Sequence, residues 1–331
     1  MDAVKKILLI RFKSIGDILF TLPAVHAVRE NFPRSKITFM VSKEHALLLQ
    51  GFRDVDEVIP VDRGLYRKKN PKAVVVETFS LLRRLRREKF SLAVDFQGYG
   101  ETALLTWLTR APERWGVVYQ AARGRAYTRG LRLSGHPHPA EWNLSMLQQC
   151  GLKPGAVRNE FILPETALAE ARLFFAAQGL DAARPALFIQ PFTSSPHKNW
   201  PLEKYLELAC HWQGRGVQIL FGGGPAERAA LEPARATGFP VSAGAPLLLT
   251  AGLMKLCTLI AGGDTGLLHL AVALDRRVVM IINHRAARRT YPFRHADWTV
   301  TPPERAPIAG IETAAVIAAC VRALGELNLT L

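Results

Sequence analysis

The feature that most constrains the fold is an alternation of short apolar strands with amphipathic helices, which runs through the chain twice. In the first half the strand pattern occurs in KKILLIR (5–11), KITFMV (36–41), EVIPVD (57–62), SLAVDFQG (91–98) and RWGVVY (114–119). A helix is predicted from Asp17 to about Asn31, and ETFSLLRRLRREKF predicts another. Such alternation is typical of a parallel sheet with helices on both faces.

The second half repeats the pattern after a Gly- and Pro-rich passage, residues 151–164. Its predicted strands are PALFIQ, VQILFGG, TLIAGG and RVVMII, and its predicted helices span 165–179, 201–213, 226–236 and 265–274. We therefore predict two α/β, Rossmann-like domains, residues 1–155 and 156–331, with a final helix (about 311–327) packing back on the first domain. Parallel sheets bind ligands beyond the carboxyl ends of their strands, so a shared cleft is expected there.

Several classes of protein are disfavoured. A length of 331 residues favours two domains, and no apolar run reaches the roughly 18 residues of a membrane span. The run Ile7–Ile10 is followed by Arg11 and Lys13 without a small-residue cleavage site, so we expect a cytosolic protein without a signal peptide. The four cysteines are far apart and predict buried free thiols rather than a zinc site or disulfides: Cys150, Cys210, Cys257 and Cys320.

Positive charge is concentrated in the first half. Through residue 165 the chain has 27 lysines and arginines against 16 acids. Such a field attracts nucleic acid, an anionic membrane or an acidic substrate, and charge alone does not choose among them. A solvated basic face without a partner is the remaining interpretation.

Four polar stretches follow predicted strands, and the first is SIGDILFTLP, residues 14–23. Gly16 is expected to let the chain turn sharply. Asp17 is expected to open the helix, where the macrodipole and free N–H groups favour a carboxylate. An aspartate there is also a common helix cap. Its place at the mouth of the predicted cleft adds a chemical role as the alternative.

The second and third stretches have phosphate- or ribose-binding character. In QPFTSSPHKNWP (190–201), Thr193, Ser194 and Ser195 supply hydroxyl groups and Lys198 a point charge, unless the loop is merely exposed and polar. Trp200 is expected to pack internally. FGGGPAERA (221–229) lacks the GxGxxG order of a dinucleotide fingerprint, and its Glu227 either accepts from ribose hydroxyls or caps a helix.

The fourth stretch, GGDTGLLHLAVAL (262–274), is the most informative. Asp264 and Thr265 end a strand, Gly266 permits close backbone approach, and the next helix directs free N–H groups at an anion. His269 is expected on the same helix face, within reach of that anion. A histidine satisfied within the core is the alternative.

The order RFKSIGD, KNWP, GGPAE, GGDTGLLHLAVAL resembles that of the ADP-heptose:lipopolysaccharide heptosyltransferases, glycosyltransferase family 9, over nearly the whole chain. The resemblance implies a GT-B fold, with an acceptor-binding first domain and a second domain that binds the nucleotide sugar. It also implies transfer without a catalytic metal or a cofactor. Two loops depart from the family pattern, QPFTSSPHK and NHRAARRTYPF, and the second bears on which sugar or acceptor is used.

Roles for individual residues follow from the resemblance. Asp17 is expected to be the general base and Lys198 to contact the diphosphate. The donor-binding residues are then Thr193, Ser194, Glu227, Asp264, Thr265, Gly266 and His269. Apart from the resemblance, Arg63 and Arg67 follow a predicted strand end, and they are expected with Gly16 to lie beside the acceptor.

Because a base-activated hydroxyl displaces the diphosphate without an enzyme nucleophile, the anomeric configuration is expected to invert. The expected partners are ADP-heptose, the anionic inner core of lipopolysaccharide and the inner leaflet, where the chain would lie peripherally, whereas nucleic acid is not expected. Another nucleotide sugar, or a non-catalytic binding protein, remains an alternative. An epimerase or oxidoreductase is disfavoured because FKSIGD is not a GxGxxG loop.

Overall fold

The structure, a computed structural model, describes residues 5–64, 71–132, 135, 138–284, 289–304 and 306–326. The chain divides into two compact units, Met1–Glu160 and Phe161–Leu331. Each unit contains a six-stranded parallel sheet with helices, as the alternating pattern predicted. In the described part of the chain, no helix is both long enough and apolar enough to cross a bilayer.

The first unit has the strand order β3-β2-β1-β4-β5-β6. Its strands are β1 (Lys6–Ile10), β2 (Lys36–Ser42), β3 (Glu57–Val61), β4 (Leu92–Asp95), β5 (Glu113–Val117) and β6 (Arg129–Leu131). Its helices are α1 (Ile15–Leu19), α2 (Leu22–Asn31), α3 (Pro71–Glu88), α4 (Gly100–Leu108) and α5 (Pro139–Gln149). Strand β1 is fully buried from Ile7 to Ile10, because helices cover both faces of a parallel sheet.

The second unit repeats this order as β12-β11-β10-β7-β8-β9. Its strands are β7 (Ala186–Gln190), β8 (Gln218–Gly223), β9 (Val241–Ala243), β10 (Leu259–Gly263), β11 (Arg277–Ile281) and β12 (Thr299–Val300). Its helices are α6 (Glu165–Ala177), α7 (Leu202–Gln213), α8 (Glu232–Ala236), α9 (Leu247–Leu256), α10 (Gly266–Ala273) and a C-terminal helix (Thr313–Glu326).

Trp200 lies in the main core of the second unit, as predicted from its loop. It is 1% exposed, and its indole N–H donates to the Ile311 carbonyl over 2.9 Å. The C-terminal helix places Val316 and Cys320 in the same core. This core holds the loop that precedes α7 and thereby fixes the main chain on either side of Lys198.

Three predictions about local structure were wrong. The helix expected from Asp17 to Asn31 is two helices, because the Thr21 N–H bonds three residues back to the Ile18 carbonyl and α2 then begins at Leu22, with Pro23 in its first turn. The helix expected over 226–236 consists of two 3₁₀ turns and the short α8, which has Pro233 in its first turn. Cys210 is exposed because it lies on the outer face of α7, whereas the other three cysteines are buried.

Candidate active site

The predicted site residues follow strands at the point in each sheet where the chain stops adding strands on one side and continues on the other. In the first unit the chain after β1 carries Asp17, and β1 lies between β2 and β4. In the second unit β7 and β10 are neighbours, and the loops after them carry Lys198 and Asp264. Ligands of open α/β sheets bind at the carboxyl ends of strands beside this reversal. Each unit thus has its predicted residues where the topology favours a ligand.

Asp17 lies in the first turn of α1 and is anchored through one oxygen only. Its Oδ2 accepts from the Ser14 N–H at 3.1 Å and lies 2.9 Å from Arg11 Nη2. The Ser14 hydroxyl lies 3.3 Å from the same oxygen. Among the described residues no hydrogen bond reaches Oδ1, and 39% of the side chain is exposed. Asp17 therefore holds the start of the helix with one oxygen and presents the other to solvent.

Arg11 is a positioning residue that the sequence analysis missed. Its side chain donates to the Phe96 carbonyl over 2.7 Å and to the Lys13 carbonyl over 3.1 Å, while Nη2 contacts Asp17. The guanidinium therefore links the loop after β1 to the chain after β4. Only the pairing of these two strands shows this role, because Arg11 and Phe96 are 85 positions apart.

Tyr119, which lies near Asp17, and its neighbour Tyr99 were also missed. Tyr99, just before α4, and Tyr119, after β5, are half-exposed, and their ring centroids lie 6.2 Å apart. Burial raises the pKa of the Tyr119 phenol. The charge of Arg11 lowers this pKa, whereas the charges of Tyr99 and Asp17 raise it further. An aromatic ring with a polar edge is a surface of the kind that packs against the face of a sugar.

Lys198 and Asp264 form the centre of the second site. Lys198 ends a 3₁₀ turn (Pro196–Lys198) after β7, and its Nζ lies 3.0 Å from Asp264 Oδ2. The Thr290 hydroxyl lies 3.4 Å from the same oxygen, and His269 Nε2 lies 3.5 Å from Oδ1. An ammonium group has three N–H donors, so the contact with Asp264 leaves two for an anionic ligand.

The carboxylate of Asp264 stays ionised despite its burial. Burial alone raises the pKa of this group, but hydrogen bonding to His269 and the charges of His269 and Lys198 outweigh it, so the pKa lies below its ordinary value. His269 is itself only 6% exposed. Its described contact is with Asp264, and its predicted reach toward a donor anion remains a prediction.

Thr265 is the N-cap of α10. Its hydroxyl oxygen accepts from the Leu268 N–H at 3.4 Å. Gly266 is the first residue of this eight-residue helix. The first N–H groups of a helix have no acceptor within the helix and favour an anion together with the macrodipole. The helix thus directs donors to the same end of the sheet as Lys198.

The loop after β7 is shaped by its own hydroxyl groups. Thr193 Oγ1 donates to the Ser195 carbonyl over 2.9 Å, and the Thr193 N–H donates to Asn199 Oδ1 over 2.9 Å. A Cβ on Gly263 would lie 2.5 Å from Thr193 Cγ2, so only glycine lets the end of β10 approach this loop so closely. Ser194 is exposed. Direct donor contact by Thr193 and Ser194 remains a prediction.

Glu227 caps the turn after β8. Its Oε2 accepts from the Gly224 N–H at 2.6 Å, which is the capping alternative raised from the sequence. No described residue hydrogen-bonds to Oε1. A ribose contact through this second oxygen remains a prediction.

The residues expected near the acceptor differ in their surroundings. Gly16 is buried within α1 rather than forming a sharp turn, because helix α1 already begins at Ile15. Arg63 is paired with Glu101 through two N···O contacts of 2.9 and 3.2 Å, and its guanidinium lies 5.4 Å from the Phe12 ring centroid. Arg67 lies outside the described residues.

No group of three or more His, Cys, Asp or Glu side chains with metal-binding proximity occurs in the described ranges.

A known enzyme family matches more than half of the chain. The profile of glycosyltransferase family 9 (heptosyltransferase) matches residues 78–307. The chain is 22% identical over 309 residues to the lipopolysaccharide core heptosyltransferase OpsX of Haemophilus influenzae. The aligned residues cover 91% of this chain and 85% of that protein.

Solved structures share the fold. A family 9 glycosyl transferase from Veillonella parvula superposes with a TM-score of 0.87 at 20% identity, covering 98% of this chain and 99% of that one. The E. coli heptosyltransferase WaaC with ADP-2-deoxy-2-fluoro heptose gives 0.74 at 22% identity, covering 98% and 100%. The predicted α/β fold of the GT-B class is thereby confirmed.

Proposed function

Because the chain belongs to glycosyltransferase family 9, the heptosyltransferase family, we propose that it transfers heptose from ADP-heptose to the inner core of lipopolysaccharide. The proposed reaction inverts the anomeric configuration and uses no metal. It forms a bond between the anomeric carbon and an acceptor oxygen, breaks the bond to the diphosphate, and moves the acceptor proton to the enzyme.

The observation that carries this proposal is the free oxygen of Asp17. A general base must keep a lone pair within reach of the hydroxyl it deprotonates. Oδ2 is occupied by Ser14 and Arg11, whereas Oδ1 has no hydrogen bond within the described ranges. Since Arg11 and Ser14 fix the orientation of the carboxylate, Oδ1 points outward without having to break an internal contact first.

The second unit supplies stabilisation for the leaving group. Negative charge grows on the departing diphosphate as the glycosidic bond breaks, and fixed donors placed there lower the barrier. Lys198 keeps two N–H donors beyond its contact with Asp264, and the first turn of α10 adds backbone N–H groups. Asp264, whose side chain is one-tenth exposed, orients the Lys198 ammonium group through their ion pair.

The donor assignment draws support from a relative with the same fold, whose structure contains an ADP-heptose analogue. For the acceptor, the positive field of the first half matches a phosphate- and carboxylate-rich core. The proposed place of action is the cytoplasmic side of the inner membrane, where a lipid-anchored acceptor would be presented. In this proposal the chain binds there peripherally.

The test is a transfer assay with defined donors and acceptors. Purified protein is mixed with ADP-heptose and a heptose-free inner-core acceptor, and the products are examined by mass spectrometry. We expect a product heavier by one heptosyl residue, no product with ADP-glucose or UDP-glucose, and unchanged turnover in EDTA. Proton NMR of the product then gives its anomeric configuration. Transfer from a different nucleotide sugar, loss of turnover in EDTA, or retention would each contradict the corresponding part of the proposal.

A further inference from the structure

Helix α3 has an exposed face that is apolar in one half and cationic in the other. Val75, Val76 and Phe79 are each 66 to 67% exposed. At about 100° per residue, they share an arc of roughly 120° with Arg83, Arg86 and Arg87, one to three turns further along. On the opposite side, Leu85 is fully buried in the core.

Helix α4 continues this surface. Leu104 and Trp107 are 55% and 54% exposed. Thr78 and Leu82 of α3 share a cavity of about 790 Å³ with Leu104, Leu105 and Leu108 of α4. Arg86 of α3 lines a second cavity, of about 280 Å³, with Trp107 and Arg110. The two helices therefore form one surface, here called the α3–α4 face: Val75, Val76, Phe79, Arg83, Arg86, Arg87, Leu104, Trp107 and Arg110.

The four arginines of the α3–α4 face are not engaged in ion pairs among the described residues. Arg84, one residue away on another side of α3, shows the contrast, because it pairs with Glu57. A protein surface rarely leaves large aliphatic and aromatic side chains exposed together, and such a patch marks a place where another body docks. Here that body must accept apolar side chains and guanidinium groups side by side.

We propose that the α3–α4 face is the surface by which the protein docks on an anionic phospholipid leaflet. Phe79, Trp107 and the two valines enter the interface between headgroups and acyl chains, and the arginines contact lipid phosphates. This deepens the proposed function, since it names the surface behind the proposed peripheral binding.

Charge distinguishes the leaflet from other occupants. A two-fold dimer through this face would bring the patch against itself, and none of the residues that define the face is acidic, so the arginines would gain no ion pair from the second copy. A nucleic acid would satisfy the arginines but leave the valines and Phe79 without a partner. An anionic leaflet satisfies both halves at once, because its phosphates lie beside an apolar layer.

The experiment measures binding of the full chain to vesicles without any sugar substrate. The vesicles contain phosphatidylethanolamine with 30% phosphatidylglycerol, or phosphatidylcholine alone. One variant combines Arg83→Gln, Arg86→Gln and Arg87→Gln; a matched control combines Arg172→Gln, Arg184→Gln and Arg215→Gln, which are exposed in the second unit. At roughly fivefold per arginine, the first variant should bind anionic vesicles about 100-fold more weakly, and the control less than threefold.

An apolar pair of variants tests insertion. Phe79→Ser with Trp107→Ser should also lose most vesicle binding, whereas Leu173→Ser, an isolated and more exposed side chain, should not. In wild type, lipids brominated near the headgroup should quench fluorescence that Trp107→Phe removes. Circular dichroism and thermal unfolding confirm that each variant is folded.

Three outcomes would overturn the proposal: binding that both arginine triples reduce equally, equal binding of wild type to neutral and anionic vesicles, or a dimer in ultracentrifugation that Phe79→Ser with Trp107→Ser dissociates. Failure of heptose transfer is a separate result. If the chain transfers no heptose but binds vesicles through this face, the inference stands. If it transfers heptose and its vesicle binding is unchanged by these substitutions, only the inference is refuted.

Discussion

Replacing Asp17 with asparagine separates its chemical role from its helix-capping role. The asparagine side chain keeps one oxygen, which can accept from the Ser14 N–H and Arg11 as Oδ2 does now. The amide nitrogen then occupies the outward position of Oδ1. The substitution therefore changes chiefly the one atom that no described residue binds, from an acceptor into a donor that cannot take up a proton.

The expected magnitudes follow from these contacts. The cap persists, and a partly exposed ion pair with Arg11 contributes at most about 1 kcal/mol, so unfolding should change by no more than about 1 kcal/mol. Loss of a general base costs about 100- to 10,000-fold in rate, or roughly 3 to 5 kcal/mol of activation free energy. Affinity for ADP-heptose should be nearly unchanged, because the proposed nucleotide contacts belong to the second unit.

The assay compares thermal unfolding, donor affinity by calorimetry and heptose transfer on the same preparations. Asp181→Asn is the matched control, since the Asp181 carboxylate also accepts from a backbone N–H, that of Ala183. Asp181 precedes β7 and therefore lies at the end of the second sheet opposite to Lys198 and Asp264. The control should transfer heptose normally. If Asp17→Asn retains turnover within a few-fold of wild type, Asp17 only caps the helix and the proposed mechanism loses its base.

Three further predictions test neighbouring groups. Lys198→Ala should lower turnover by roughly 30- to 1,000-fold through the lost contact with the diphosphate, while Lys204→Ala, whose ammonium binds carbonyls at 309 and 311, should not; initial rates with ADP-heptose measure both. Arg11→Met should lower kcat about 10- to 100-fold at unchanged donor affinity, because the carboxylate of Asp17 loses its fixed orientation, and normal kcat would remove that role. Hydrogen bonding from Lys36 holds the pKa of Glu57 below its ordinary 4.5, although burial acts to raise it, so the ionised Glu57 stabilises the fold above pH 4.5 and this stabilisation is lost as the pH falls through the lower, folded-state pKa. The fall in Tm on the acid side should therefore be shallower in Glu57→Gln, and identical Tm profiles would refute this role of Glu57.

The sequence predicted the central strands because burial on both faces requires continuous apolar runs. It missed three of the four strands at the edges of the sheets, β6, β9 and β12, although it predicted the fourth, β3. β9 and β6 have three residues each and β12 has two, too few to show a period, and RGL of β6 contains no apolar run. These strands exist because a neighbouring edge offers them backbone partners, as Trp115 and Val117 of β5 do for β6.

The candidate site divides in the same way. Asp17, Lys198 and Asp264 could be predicted because they follow strands, and position after a strand is a local property. Tyr119 could not, because its proximity to Asp17 depends on which strands are adjacent, and the hydrogen bond from Arg11 to the Phe96 carbonyl likewise depends on the pairing of β1 with β4. Likewise, nothing local indicated that Asp264 would pair with Lys198, 66 positions earlier, before the adjacency of β7 and β10 was known.

The sequence posed capping and chemistry as alternatives for two carboxylates, and the geometry removes the conflict. Asp17 and Glu227 each accept the N–H three residues earlier through a single oxygen. For each, the described residues leave the second oxygen without a hydrogen bond. A cap holds the side chain in one rotamer, so the second oxygen has a fixed direction before any substrate arrives, which lowers the entropy cost of using it. Asp264 is different, since both of its oxygens contact other side chains: Oδ2 contacts Lys198 and Thr290, and Oδ1 contacts His269. A carboxylate enclosed in this way suits orientation of Lys198 and is poorly placed to accept a proton from a substrate, so of the three, Asp17 is the one whose surroundings match a base acting on a hydroxyl.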